Sequence, residues 1–330
     1  MPLDGVDAVL ADLDGVVYAG PNAIPHAVES LNLVAESITV GYITNNASRT
    51  DASVAGHLTD LGLRVAPNEV VTSPQAAVRL LAGLVPAGAT ILVVGGDGLV
   101  DEIQKGGFVV TRSAEDEPAA VVQGFAPEVG WTQLAEAAFA LQGERGADVH
   151  WIATNTDWTI PQARGIAPGN GTLVSAVHTT VGRLATVAGK PETPIFEEAV
   201  ARFGAKKPLF IGDRLDTDIL GANRAGIASA LVLTGIDRAK HALAADQHSR
   251  PTYILEDLRQ LHEPYPVTTM SRDGEAATVG ESTVRVSGND VVIEQAGSVK
   301  IDLLRAACAA IWASGRAIYG LNVPESLYAE

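Results

Sequence analysis

The chain has 330 residues, 47% of them hydrophobic, and carries 39 acidic against 23 basic side chains, a formal charge of −16. That length suits two domains with sizeable cores, and the acidic balance, without any Lys/Arg cluster, argues against nucleic acid and anionic membranes as partners. Its one cysteine, Cys308, excludes an intramolecular disulfide, and no run approaches the ~20 apolar residues needed to span a bilayer. The opening MPLDGVDAVLADLDG has neither the basic start nor the long apolar stretch of a secretion signal, so a soluble cytoplasmic protein is expected.

Residues 6–11, VDAVLA, read as a buried strand, ESLNLVAE as a helix, and SITVGYITNN as a second strand with a polar end. In RTDASVAGHLTDLG, Thr50 and Asp51 supply a helix start, and Val54, Leu58 and Leu61 recur at helical spacing. Gly62 supplies the stop. A βαβα beginning implies a parallel sheet covered on both faces. Near residue 90 the pattern restarts. TILVVGG, GFVVT, AAVVQGF and VHWIATN are strand-like, while WTQLAEAAFALQG and TLVSAVHTTVG are helical. VVGGDG, residues 93–98, lacks the full glycine fingerprint of a dinucleotide loop and reads as a tight turn.

In GKPETPIFEEAVARFG, Thr193 and Pro194 open a helix. The first pattern then resumes with KPLFIGD, SALVLTG and TYILEDL. The expected organisation is a first domain split into 1–79 and 186–264, with a second α/β domain, 80–185, inserted into it. LHEPYPVTT reads as a linker. Residues 265–330 are an extension of unassigned role: a hairpin turning at SGND, then a helix with Ile301, Leu304, Cys308 and Ile311 on one stripe. That stripe is expected to pack on the core or on a second subunit.

Four short stretches lie where strands end or helices begin: DLDG (12–15), TNN (44–46), GKP (189–191) and GDRLDTD (212–218). In an open parallel sheet, ligand sites form outside the carboxyl ends of strands, so the four are expected to converge on one crevice. Their side chains suit phosphoryl transfer. Asp12, Asp213 and Asp218 offer hard oxygens for Mg²⁺, Lys190 a point charge, Thr44 a hydroxyl and Asn45 a backbone N–H near a turn. Two unit charges ~4 Å apart interact by roughly 4 kcal/mol at an effective dielectric of 20. A phosphate dianion facing two or three carboxylates therefore requires a divalent cation as well as the lysine. One of Asp12 and Asp14 can attack phosphorus while the other moves the proton; residue types alone leave open which does which.

In order, DLDGVVY, TNNAS, GKP and GDRLDTDI resemble the four motifs of the haloacid dehalogenase (HAD) superfamily. The match is closest to its subclass IIA phosphatases, the NagD-like, p-nitrophenyl phosphate, phosphoglycolate, pyridoxal phosphate and glycerol 3-phosphate enzymes. ATNTDWTIPQARGIAPGNGTLVSAV is similar to the cap of that subclass. The similarity spans about residues 5–260. It implies an α/β fold: a Rossmann-like parallel-sheet HAD core with an inserted α/β cap of the C2 type, to which this chain adds a small C-terminal α+β extension.

The resemblance also implies a Mg²⁺-dependent phosphomonoesterase acting on a small phosphorylated metabolite. Asp12 is then the nucleophile and a metal ligand, and Asp14 the acid/base, binding metal through its carbonyl. Thr44, Asn45 and Asn46 hold the phosphate, and Lys190 bridges nucleophile and phosphate. Asp213 is the third metal ligand, with Asp218 behind it, steering a metal-bound water or Lys190. Glycerol 3-phosphate is the favoured substrate, ahead of 2-phosphoglycolate, pyridoxal phosphate or a nucleotide, and a cap-mediated homodimer is common in the subclass. A non-catalytic phosphoester-binding module would be expected to lose one of these aspartates. A phosphomutase would pass the phosphoryl group to a sugar. In TNTD, Asn155 and Asp157 read either as cap residues that select substrate or as a turn closed by its own side chains.

Overall fold

The computed structural model describes residues 1–162 and 164–329. The chain divides into two compact units, Met1–Val40 with Ala205–Glu330, and Gly41–Gly204. Both are α/β. Among the described residues, no helix is long and apolar enough to cross a membrane.

In the first unit, four parallel strands run in the order Tyr253–Leu255, Ala228–Val232, Pro208–Gly212 and Ala8–Asp12. Val9, Leu10, Phe210 and Ile211 are wholly buried, as expected of a parallel strand covered on both faces. Helix Ala27–Val34 turns Ala27, Leu31 and Val34 inward at helical spacing.

The extension belongs to this unit. It holds four antiparallel strands, Thr268–Met270, Ala276–Val279, Ser282–Ser287 and Asp290–Gln295, where the sequence predicts only a two-stranded hairpin. The predicted hairpin is the last pair. Ser287 and Asp290 face each other, and Gly288 takes φ +57° at the first position of the turn. The two extra strands escaped because they are three and four residues long, and AATV and TTM show almost no apolar alternation.

Helix Lys300–Ser314 also departs from a single stripe. Ile301, Leu304, Cys308 and Ile311 are buried, but so are Asp302, Arg305, Ala306, Ala307 and Ala310. The helix packs against the extension's sheet and against helix Ala239–Leu243, and its apolar residues join Leu231, Leu243 and Ile254 in one core cluster. Arg305 fastens it. Its guanidinium donates to the Ile254 carbonyl through Nε (2.9 Å) and Nη2 (2.7 Å) and to Asp302 Oδ1 (2.8 Å), and lies 4.3 Å over the Tyr265 ring. Tyr265 Oη accepts from Ile254 N–H at 3.0 Å. The outward backbone groups of edge strand Tyr253–Leu255 are thus satisfied by side chains of the linker and the extension.

In the second unit, Tyr42, Ile43 and Thr44, the end of strand Thr39–Thr44, pair in parallel with Val70–Thr72. A five-stranded parallel sheet follows in the order Thr186–Val187, His150–Ala153, Ala120–Gln123, Thr90–Val94 and Val109–Thr111. Helices Ser73–Leu84, Trp131–Ala140, Asn170–Val181 and Pro194–Phe203 accompany these strands. Helix Asp51–Asp60 starts where its cap predicts, with Thr50 Oγ1 accepting from Ser53 N at 3.2 Å. The sequence reads VVGGDG as a tight turn; in the structure its first two residues end strand Thr90–Val94, its last two begin helix Asp97–Lys105, and only Gly95 and Gly96 join them.

Arg305→Ala leaves Asp302 buried without that partner, and should cost about 3–5 kcal/mol, read from urea denaturation; a loss below about 1 kcal/mol would show that the docking does not depend on Arg305. Cys308 is 1% exposed, and burial pushes its thiol well above the ordinary range. The folded protein should therefore resist alkylation at pH 8 and react fully in denaturant.

Candidate active site

In the first unit the register of two neighbouring strands sets the site. Ala8 to Ala11 pair with Pro208 to Ile211, so Asp12 and the Gly212–Asp213 step leave the sheet side by side at its carboxyl end. Asp218 comes from a π-helical turn, Leu215–Ile219, a rare geometry often found at functional sites. Asp12, Asp213 and Asp218 are 8%, 1% and 0% exposed, and their carboxylate oxygens lie within 4.8 Å of one another.

Asp213 and Asp218 are oriented by backbone donors. Asp218 Oδ2 accepts from Asp213 N and Arg214 N, both at 3.1 Å. Asp213 Oδ2 accepts from Ile236 N at 2.6 Å. Gly15 takes φ +84°, and a Cβ there would stand 2.2 Å from Asp213 Oδ2. The glycine of DLDG is therefore required twice, by its backbone and by the carboxylate beside it. Asp14 lies outside this buried cluster, exposed, with Tyr18 Oη donating to its Oδ2 at 3.4 Å. Asp216 is exposed and pairs with Arg214 at 2.7 Å.

Three buried carboxylates this close repel one another, so the cluster calls for a cation. All donors are hard oxygens, the set that Mg²⁺ and Ca²⁺ prefer, and the residues present fit such an ion. Its residue type makes Asp218 a candidate ligand, and the family resemblance places it behind the ligands. Its carboxylate stands within the same cluster, while its Oδ2 holds the Asp213–Arg214 backbone.

In the second unit, Thr44 ends strand Thr39–Thr44, and its Oγ1 accepts from Asn46 N at 3.1 Å. Asn46 Oδ1 closes the turn by accepting from Ser48 N (2.9 Å) and Ser48 Oγ (2.8 Å). The Asn45 side chain meets the backbone of Lys190, whose own side chain is 4% exposed. Thr44, Asn45, Asn46 and Lys190 are thus neighbours in one unit, and Asp12, Asp213 and Asp218 in the other.

Asn155 and Asp157 join the Asn45 group. Asn155 Nδ2 donates to Asn45 O at 2.8 Å, and Asn45 Nδ2 to Asp157 Oδ1 at 3.2 Å. Asn155 Oδ1 also accepts from Asp157 N at 3.1 Å, the self-closed turn that the sequence offered as the plainer reading. Ser73, whose Oγ donates to Asn45 O at 2.7 Å, was not singled out from the sequence. A signal for the TNTD segment was present: like TNN, it directly follows a strand, His150–Ala153.

Residues 9–109 match the family described as haloacid dehalogenase-like hydrolase, and residues 187–261 a second, HAD-hydrolase-like family. The chain is 42% identical over 308 residues to D-glycerol 3-phosphate phosphatase of Mycobacterium tuberculosis, covering 93% of this chain and 86% of that protein. The match therefore runs well into the extension. Acid sugar phosphatase of Staphylococcus aureus is 32% identical over 256 residues, 77% of this chain and 95% of the relative. A crystal structure of the Mycobacterium tuberculosis glycerol phosphate phosphatase in complex with magnesium superposes with a TM-score of 0.87 at 39% identity, over 98% of this chain and 94% of that one.

Asp213→Asn should weaken Mg²⁺ binding at least tenfold in a calorimetric titration, on the order of what loss of a carboxylate near a metal costs. Gly15→Ala should do the same by displacing Asp213. Wild-type affinity in both variants would exclude this cluster as the metal centre.

Proposed function

This chain belongs to the haloacid dehalogenase-like hydrolases, and from that premise we propose that it is a Mg²⁺-dependent phosphomonoesterase that hydrolyses glycerol 3-phosphate through an aspartyl-phosphate. The reading rests above all on the buried carboxylate cluster at the end of strand Ala8–Asp12, with the more accessible Asp14 two residues on. The Mycobacterium tuberculosis relative, similar over 93% of this chain, supports the choice of substrate.

In this reading a carboxylate oxygen of Asp12 bonds to phosphorus as the P–O bond to glycerol breaks. Asp14 gives its proton to the departing oxygen, leaving free glycerol and aspartyl-phosphate. Asp14, now a carboxylate, takes a proton from the water that attacks phosphorus. The bond from Asp12 breaks, and inorganic phosphate leaves with both aspartates restored. The exposure of Asp14 suits a group that exchanges protons with alcohol and then water. Lys190 neutralises phosphoryl charge, and Thr44, Asn45 and Asn46 form the loop that receives the phosphoryl oxygens. Asp12, Asp213 and the Asp14 carbonyl would hold Mg²⁺, with Asp218 behind them. Bound there, the ion offsets the negative charge shared by phosphate and carboxylates.

The same reading assigns residues 1–79 and 186–264 to the catalytic core, 80–185 to the cap and 265–330 to the extension. It also assigns a cytoplasmic location.

Phosphate release should be measured on glycerol 3-phosphate, 2-phosphoglycolate, pyridoxal phosphate, sugar phosphates and nucleoside monophosphates, with Mg²⁺ and with chelator. The expected result is metal-dependent release, greatest from glycerol 3-phosphate. An isomeric phosphoester in place of phosphate would point to a mutase; folded protein silent with Mg²⁺ would point to a binding module. Asp12→Asn should lower turnover by on the order of 10⁴-fold or more, and Asp14→Asn by about 10²–10⁴-fold. An Asp12→Asn enzyme that still turns over would remove Asp12 as nucleophile.

A further inference from the structure

The side chain of Asn45 engages both main-chain groups of Lys190. Its Oδ1 accepts from Lys190 N at 2.8 Å, and its Nδ2 donates to Lys190 O at 3.0 Å, as a neighbouring strand would. Nδ2 also faces Asp157, 3.2 Å from Oδ1 and 3.4 Å from Oδ2. These partners leave one orientation for the amide. Flipped, its oxygen would meet a carbonyl and a carboxylate, and its NH₂ would meet the Lys190 N–H.

Two further side chains brace the node. The Asn45 carbonyl accepts from Asn155 Nδ2 (2.8 Å) and Ser73 Oγ (2.7 Å). Asn155 is itself held, its carbonyl accepting from Asn170 Nδ2 at 2.7 Å. Gly189 permits the approach: a Cβ there would stand 2.5 Å from both Asn45 Oδ1 and the Thr154 carbonyl.

We propose that Asn45 is a positioning residue, whose side chain sets the backbone of Lys190 and hence the origin of its ammonium group, and that Asp157 locks the Asn45 amide in the orientation this requires. The proposal rests on Lys190 binding the phosphoryl group, as argued above. A lysine head sits on a flexible four-carbon stem, so a fixed main chain narrows the points it can reach. A misplacement of about 1 Å can cost on the order of 10²-fold in rate.

A double-mutant cycle tests this. Asn45→Ala, Lys190→Ala and the combined variant are compared with wild type in kcat and KM for glycerol 3-phosphate, with melting temperatures recorded in parallel. Asn45→Ala should lower kcat/KM by roughly 10²-fold. The combined variant should lie within about threefold of Lys190→Ala alone, because a residue acting through Lys190 has nothing left to position. Losses that multiply would overturn the proposal and give Asn45 an independent role. Wild-type kinetics in Asn45→Ala would overturn it equally. Wild-type kinetics in Lys190→Ala would instead remove Lys190 from phosphate binding, a failure of the proposed function itself. Should Asn45→Ala not fold, Asp157→Asn carries the same cycle. It keeps the shape but removes the charge and replaces one of the two oxygens facing the Asn45 donor with an NH₂ group, and roughly a tenfold loss is expected that vanishes beside Lys190→Ala. No loss, or one that persists there, overturns the lock.

Discussion

The mutual repulsion of Asp12, Asp213 and Asp218 is the constraint around which the first unit is arranged. Carboxylate oxygens within 4.8 Å of one another, in groups less than a tenth exposed, form a local charge that folding alone would not favour. Each such pair is worth roughly 3–4 kcal/mol at an effective dielectric of 20, against a total stability of about 5–15 kcal/mol for an ordinary domain. Part of the offset is built in. Backbone amides of Asp213, Arg214 and Ile236 donate to Asp213 and Asp218. The remainder calls for a divalent cation, so the arrangement that is costly for folding is one that suits a metal ion.

The second unit meets the opposite problem. The polar groups around Asn45 are amides, one hydroxyl and one carboxylate, and they are joined by hydrogen bonds. Asn45, Ser73, Asn155 and Asn170 each satisfy a backbone group that a parallel sheet leaves open beyond its strands. The result is a rigid origin for one flexible cation. Charge is thus concentrated on one unit and orientation on the other.

The extension follows from a different necessity. Tyr253–Leu255 is an edge strand, and the unpaired N–H and C=O of Ile254 would invite pairing with another chain. Tyr265 and Arg305 occupy both groups. The helix that carries Arg305 has several buried faces because antiparallel sheet packs against it as well as core. Arg305, braced by Asp302 one turn earlier on the same helix, fixes the helix's seat through its bonds to the Ile254 carbonyl.

Much was legible in the residues themselves. Buried parallel strands announce themselves as short apolar runs, and Asp12, Asp14, Thr44, Lys190 and Asp213 stand beside their ends because the chain chemistry changes abruptly there. These are local properties, and local spacing carries them. Thr268–Met270 and Ala276–Val279 were not legible, since strands this short owe their pairing to neighbours and not to their own alternation. Nor could the sequence show that Asn45 faces Lys190, 145 residues away, or that Asn155 braces it across 110. Hydrogen bonds of that reach depend on where strands end in space. The sequence by itself determined which chemical groups were present and on which strand ends they fall; only the tertiary structure decided which of them meet, because strand register and turn geometry, absent from any short window of residues, set the distances.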